Sequence, residues 1–253
     1  MYKCQTLAVA TYLVLCACTG RQPQTHVLSI AAAADLNFAL DEVSREFRKT
    51  QPDIELRIAY GSSGNFYAQI QNHAPFDVFL SADVQYPRKL AAAGLARPDS
   101  VFVYAVGRIV VWVPANSPLD PAAALRSSSL RHLAIANPQH APYGRAAEAA
   151  LRSMGLYDSV EGKLVLGENI AQTLQFVESG AADAGILALS LATAPPVRGQ
   201  GRYWQVPLDQ YPQMEQGGVI LKDSADAGAF RAWLTSSGGR ALLKRYGFSL
   251  PGE

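Results

Sequence analysis

The chain has 253 residues, of which 49% are hydrophobic and 17% charged, and its formal net charge is +1. That length and apolar content supply core enough for a globular protein of one or two domains. The balanced charge and the absence of any Lys/Arg run argue against a nucleic-acid binder, so an anionic ligand has to be held by local groups.

Residues 1–18 read as an export signal. Met1 to Lys3 is a short positive start, and Thr6 to Ala17 is an apolar run too short to span a bilayer comfortably. All three cysteines, Cys4, Cys16 and Cys18, lie within it or at its end. Leu15-Cys16-Ala17-Cys18 resembles a bacterial lipobox, which would make Cys18 the lipidated first residue of the mature chain. The alternative is an ordinary signal peptide cut near Ala17 or Gly20. Residues 19–25 read as a polar linker, and a domain of the remaining size needs no disulfide.

Val27 to Ala31 reads as a short buried strand, after which Ala31-Ala32-Ala33-Ala34 leads to a helix start at Asp35. Leu36, Leu40, Val43 and Phe47 recur at helical spacing, and Gln51-Pro52-Asp53 stops that helix. Asp35 is expected either to be its N-cap or to face the ligand. Ile54 to Tyr60 alternates as a strand and enters Gly61-Ser62-Ser63-Gly64, followed by a helix with Phe66 and Ile70 on one face. Glycine lets the backbone approach a ligand closely, and either serine could cap the helix or offer its hydroxyl. The free N–H groups of the first turn carry the positive end of the helix dipole. Asp77 to Asp83 is a buried strand entering a third helix over residues 85–93. Strands alternating with helices indicate an α/β sheet of mostly parallel strands, which binds ligands at the carboxyl ends of the strands.

Tyr104 to Pro114 is valine-rich and reads as two strand segments, crossing from one lobe to the next. Leu133 to Ala136 is a strand, followed by Asn137 to Gly144 and a helix carrying Ala147, Leu151 and Met154. Lys163 to Leu166 is a strand, and Gly167-Glu168-Asn169 opens a helix with Ile170, Leu174 and Val177 on one face. Asp183 to Leu189 is buried, with a helical segment over 189–193 and a surface loop over 195–201. Trp204 to Pro207 and Gly217 to Leu221 read as strands joined by the return crossing. Helices over 225–235 and 240–246 close the chain. These crossings place one lobe at 26–106 plus 218–253 and the other at 107–217.

The four histidines have no metal-ligand spacing. Ser62 and Ser63 fail the Gly-x-Ser-x-Gly elbow, since Asn65 stands at its last glycine. Asp35 and Glu215 are the sole acid–base candidates, so no catalytic residue is expected.

Four loops recur in order: Ala31-Ala32-Ala33-Ala34-Asp35-Leu36, Gly61-Ser62-Ser63-Gly64, Ala141-Pro142-Tyr143-Gly144 and Gly167-Glu168-Asn169-Ile170. Ala74-Pro75-Phe76-Asp77-Val78-Phe79-Leu80-Ser81-Ala82-Asp83 stands between the pairs, and Lys244-Arg245-Tyr246-Gly247-Phe248 near the end. With these the chain resembles the periplasmic molybdate-binding proteins of ABC transporters over residues 26–250. The resemblance implies the type II periplasmic binding fold, two α/β lobes with a tetrahedral dianion in the cleft between them. It implies the substrate-binding component of an importer, a monomer in the periplasm or cell envelope, which captures molybdate or tungstate and delivers it to a membrane permease. Carried over by position, Ala34 and Asp35 contribute from the first loop, Ser63 from the second, Tyr143 from the third and Ile170 from the fourth. No cofactor and no metal are implied beyond the oxyanion. Many members have serine where this chain has Ala34, and some have tyrosine where it has Ala188; Tyr143 is placed to offer a hydroxyl from another loop. A carboxylate at Asp35 facing a dianion would repel it, unless it accepts a proton from an anion such as hydrogen phosphate. The alternatives are another oxyanion, sulfate or phosphate, or a sensor without a transporter.

Overall fold

The computed structural model describes residues 25–253. The export signal, the Cys18 lipidation position and residues 19–24 of the linker lie outside the described residues.

Strand β1 (His26–Ala33) passes through a 3-10 turn (Ala34–Leu36) into α1 (Asn37–Thr50). β2 (Ile54–Gly61) leads into α2 (Ser63–Gln71), and β3 (Val78–Ser81) into α3 (Gln85–Ala92). β4 (Val101–Gly107) and β5 (Ile109–Pro114) follow with Arg108 between them. β6 (Leu133–Ala136) precedes α4 (Pro142–Ser153) and the single turn α5 (Tyr157–Val160), and β7 (Leu164–Gly167) precedes α6 (Ile170–Glu178). β8 (Ala184–Ala188) runs into α7 (Leu189–Ala192), and β9 (Gly201–Gln205), β10 (Met214–Ile220), α8 (Ala225–Leu234) and α9 (Ser237–Arg245) complete the chain.

The strands form two five-stranded sheets, ordered β2-β1-β3-β10-β4 and β7-β6-β8-β5-β9. β1 is parallel to β2 and β3, and β6 is parallel to β7 and β8; β10 and β5 enter antiparallel. This is the expected two-lobed α/β architecture. Two features shift from the sequence reading. β10 belongs to the first sheet from Met214 onward, where it pairs with Gly107, so the return crossing lies ahead of residue 214 rather than at 217/218. β9 starts at Gly201 rather than Trp204, because residues 201–205 pair with Val110 to Pro114 at a sheet edge.

Strand register fixes where the helices begin. Ala33 pairs with Gly61, so β1 and β2 end level with each other and α1 and α2 both open from that edge. Ala136 pairs with Gly167, which does the same for α4 and α6 in the second sheet. Both edges are the carboxyl ends of parallel strands, and they face each other across the cleft. One apolar cluster joins Ala33, Ala34 and Ala82 of the first lobe to the core of the second.

The helices are held by the stripes read from sequence. Phe47 of α1 is fully buried, edge-on to Phe230 at 5.7 Å and Trp233 at 6.3 Å. It ties α1 to α8. Phe47→Ala is expected to cost about 3–5 kcal/mol, from lost transfer energy plus the cavity left behind. For a chain of this size that lowers the melting temperature by roughly 10 °C; a shift under about 3 °C would show that the stripe is not a principal part of the core.

Candidate ligand site in the interlobe cleft

A small cavity between the lobes is lined by Ala33, Ala34 and Asp35 after β1, Gly61, Ser62 and Ser63 after β2, and Ala82 after β3. From the second lobe it is lined by Ala141, Pro142, Tyr143, Asn169 and Ile170. All five positions expected from sequence, Ala34, Asp35, Ser63, Tyr143 and Ile170, therefore meet at one point. No Lys or Arg lines it.

Ser62 is the N-cap of α2, its Oγ accepting from the Asn65 N–H at 3.3 Å. That leaves Ser63 at the first helical position, buried, with its Oγ accepting from the Ala82 N–H at 3.0 Å. The accepted bond fixes the Ser63 hydroxyl and keeps its hydrogen available to the cavity. Asn169 caps α6 by accepting from Ala171 and Gln172. Asn169 does not cap the N–H of Ile170, and Pro142 opens α4 so that Tyr143 supplies its first N–H. First-turn N–H groups have no partner inside their own helix. Ser63, Tyr143 and Ile170 thus bring three helix starts to the cavity, each with the positive end of a helix dipole.

Asp35 does not cap α1. The N-cap is Leu36, which makes no side-chain cap bond, and Asp35 sits in the preceding 3-10 turn, 1% exposed. The turn rotates the carboxylate into the cleft. Its Oδ2 accepts from Gln216 Nε2 at 2.6 Å and from the Tyr143 hydroxyl at 3.0 Å. Gln216 also donates to the Tyr143 oxygen at 3.0 Å, while Gln216 Oε1 accepts from the Tyr104 hydroxyl at 3.0 Å. Asp35 Oδ1 is buried and has no hydrogen-bond partner among the described residues. The Tyr143 hydroxyl hydrogen therefore goes to Asp35.

Burial raises the Asp35 pKa from an ordinary 3.8 to about 6, against the lowering effect of the bonds from Gln216 and Tyr143. A folded pKa above the unfolded value means this group's contribution is complete below about pH 4 and is lost as pH rises through about 6. On this account the fold is about 3 kcal/mol less stable at neutral pH than in acid. Burial likewise holds Tyr104 and Tyr143 well above the ordinary tyrosine range, reinforced by the neighbouring Asp35 charge.

The cleft is closed by contacts outside the cavity. The Gly64 N–H donates to the His140 carbonyl at 2.8 Å, and Ser62 Oγ lies 3.0 Å from His140 Nδ1. Asn65 bonds Glu168, Arg145 pairs with Asp83 at 2.8 Å, and the Ser190 hydroxyl donates to the Asp35 carbonyl at 2.8 Å. His140, which has no metal-ligand spacing, is one of these clasps. Gln216 and Tyr104 were not anticipated at all; a glutamine inside β10 beside two glycines was the one available signal. Ala188, the last residue of β8 and the N-cap of α7, is buried and is not part of the cavity wall. Glu215 is half-exposed near Arg88 at 4.0 Å, outside it.

Two α/β lobes closed over a buried, dipole-lined cavity define a solute-binding protein of the periplasmic type. The chain belongs to the bacterial extracellular solute-binding protein family, whose model matches residues 28–249. The molybdate-binding protein ModA of Azotobacter vinelandii is 37% identical over 253 residues, covering 98% of this chain and 99% of its own. ModA of Rhodobacter capsulatus is 39% identical over 193 residues, 75% of each chain. The solved structure of the Azotobacter vinelandii periplasmic molybdate-binding protein superposes with a TM-score of 0.83 at 35% identity, covering 88% of this chain and 99% of that one.

Removing the Gln216 donor is expected to raise the Asp35 pKa further, because that bond favours the charged form. Gln216→Leu should move the Asp35 carboxyl titration, followed by carbon NMR, to a midpoint above that of the wild type. It should also destabilise the fold by about 1–3 kcal/mol. An unchanged midpoint would place the Gln216 amide away from Asp35.

Proposed function

We propose that this protein is the substrate-binding component of an ABC importer, capturing molybdate in the interlobe cleft and presenting it to a membrane permease. The observation that carries this reading is the convergence of Ala34, Asp35, Ser63, Tyr143 and Ile170, from both lobes, on one buried cavity without a cationic side chain. A dianion taken from water loses its hydration, and charge-assisted hydrogen bonds from fixed donors replace it. Helix starts and the Ser63 hydroxyl are such donors, and a donor-rich wall favours an anion that carries no proton of its own. The molybdate-binding relatives, matched over nearly the whole chain, support the same ligand; tungstate, of the same shape and charge, is taken with it.

Capture proceeds by hinge closure between the β4–β5 link and the segment joining β9 to β10. Contacts from the second lobe, Tyr143 and Ile170, reach the anion only when the cleft is shut, so the anion shifts the population toward that state. The reading is of a binding protein and not an enzyme; Glu215, the second acid–base candidate of the sequence, lies outside the cavity. Export to the periplasm or cell envelope, anchoring through lipidated Cys18 and action as a monomer complete the proposal.

A thermal melt with molybdate, tungstate, sulfate and phosphate in parallel tests it. An anion at about a hundred times its Kd adds roughly 2.7 kcal/mol, which should raise the melting temperature by about 5–10 °C. Molybdate and tungstate are expected to do so. A shift with sulfate or phosphate alone would move the function to another oxyanion.

Closure itself has a separate test. A Cβ at Gly64 would stand 2.5 Å from the His140 carbonyl oxygen, so Gly64→Ala opposes the shut state. The variant should melt within a few degrees of wild type but bind molybdate at least about tenfold more weakly, a cost of about 1.4 kcal/mol. Unchanged affinity would show that the lobes do not come this close around the anion.

A further inference from the structure

Asp35 offers two carboxyl oxygens, and they are treated differently. Oδ2 is saturated by Gln216 and Tyr143, at 2.6 and 3.0 Å. Oδ1 is buried, lacks any protein donor among the described residues and belongs to a residue of the cavity wall. An oxyanion in that cavity presents oxygens of its own, which also only accept. Two acceptors bearing like charge cannot share a buried contact unless a hydrogen lies between them.

From this juxtaposition we infer that the site binds its oxyanion together with one proton, held between Asp35 Oδ1 and an oxygen of the anion. The inference rests on the oxyanion-binding reading above and deepens it, naming Asp35 as a specificity-determining residue. The step balances simply: protein, dianion and one proton from solvent give the complex, with no bond to the central atom made or broken. The protonated Oδ1 becomes a donor, matching the Ser63 hydroxyl and the helix N–H groups around it. Asp35 thereby joins the donor set instead of opposing the ligand.

Among the described residues the surroundings contain no other group fit for the role. Facing Asp35 are Tyr143 from α4, Tyr104 from β4 by way of Gln216 on β10, and the Ser190 hydroxyl from α7. Both tyrosines stay protonated, because burial raises them well above their ordinary range. Tyr211, in the segment before β10, approaches Tyr143 and bonds the Ile109 N–H, with Arg108 nearby. His140 is turned to Ser62 and Glu168, and Glu168 is also bonded to Asn65. Among the described residues no cation bonds to Asp35 to stabilise its carboxylate; burial instead raises its pKa to about 6.

The test is the molybdate Kd of the mature protein and of Asp35→Asn, measured by calorimetry from pH 7 to pH 9. Molybdate is a plain dianion throughout that window. The wild type should lose about tenfold in affinity per pH unit, the linkage slope for one proton taken up. Asp35→Asn keeps an acceptor for Gln216 and Tyr143 and a fixed N–H donor for the anion, so its Kd should be flat and tighter than wild type at pH 9. Calorimetry of the wild type in buffers of different ionisation enthalpy counts the proton directly and stands even if the variant fails to fold; uptake of one proton at pH 8 is expected. Wild-type binding that is independent of pH, with no proton uptake, would overturn the inference and leave the molybdate reading standing. Equal slopes in both proteins would remove Asp35 as the proton's site. No molybdate binding at any pH by either protein would overturn the functional reading, and the inference with it.

Discussion

The hydrogen bonds that meet on Asp35 hold the two halves of the site in one geometry. Tyr143 arrives from α4 of the second lobe and Gln216 from β10 of the first, and both donate to the same oxygen. Tyr104 in turn fixes the Gln216 amide through its oxygen, so the glutamine cannot flip without losing a bond. Buried polar groups are costly unless paired, and a network of this kind specifies a single arrangement of its members. Gly107, at the end of β4, lies directly beneath: a Cβ there would stand 2.6 Å from the Tyr143 hydroxyl and 2.8 Å from Gln216 Nε2. A side chain at Gly107 would therefore collide with the cleft network.

Around that network the fold supplies positive potential without positive residues. Parallel strands ending level in each sheet start their helices at the same edge, and the two edges are opposed. The resulting donors are backbone N–H groups, which cannot move away or titrate, and a serine hydroxyl anchored by the Ala82 N–H. This resolves the question raised by a formal charge of only +1. The cationic side chains near the cleft, such as Arg145, are paired with carboxylates at its rim and serve closure.

Much of this was legible from the chain alone, and what was not has a common cause. Hydrophobic periodicity and strand–helix alternation are local signals, and they placed both lobes and the loops that carry Ala34, Ser63, Tyr143 and Ile170. Asp35 stayed open between helix cap and cleft, because Asp before a helix is ordinarily a cap; the 3-10 turn over Ala34–Leu36 places the cap at Leu36 and leaves Asp35 at the cavity. Its partner Gln216 is 181 residues away in sequence, a pairing no local pattern encodes. The same holds for His140, whose bonds to Ser62 and Gly64 exist only because the lobes close. Only the family resemblance selected Ser63 over Ser62; local pattern left both able to cap, and the register of α2 assigns the cap to Ser62.

The central claim is that both lobes close on one oxyanion at the meeting point of Asp35, Ser63, Tyr143 and Ile170. Crystals grown with molybdate, with diffraction collected near the molybdenum absorption edge, test it most directly. The account predicts one anomalous peak, inside the cavity, with the Ser63 hydroxyl and the N–H groups of Tyr143 and Ile170 within hydrogen-bond distance of its oxygens. A peak elsewhere on the molecule, or none in crystals of the closed form, would contradict it.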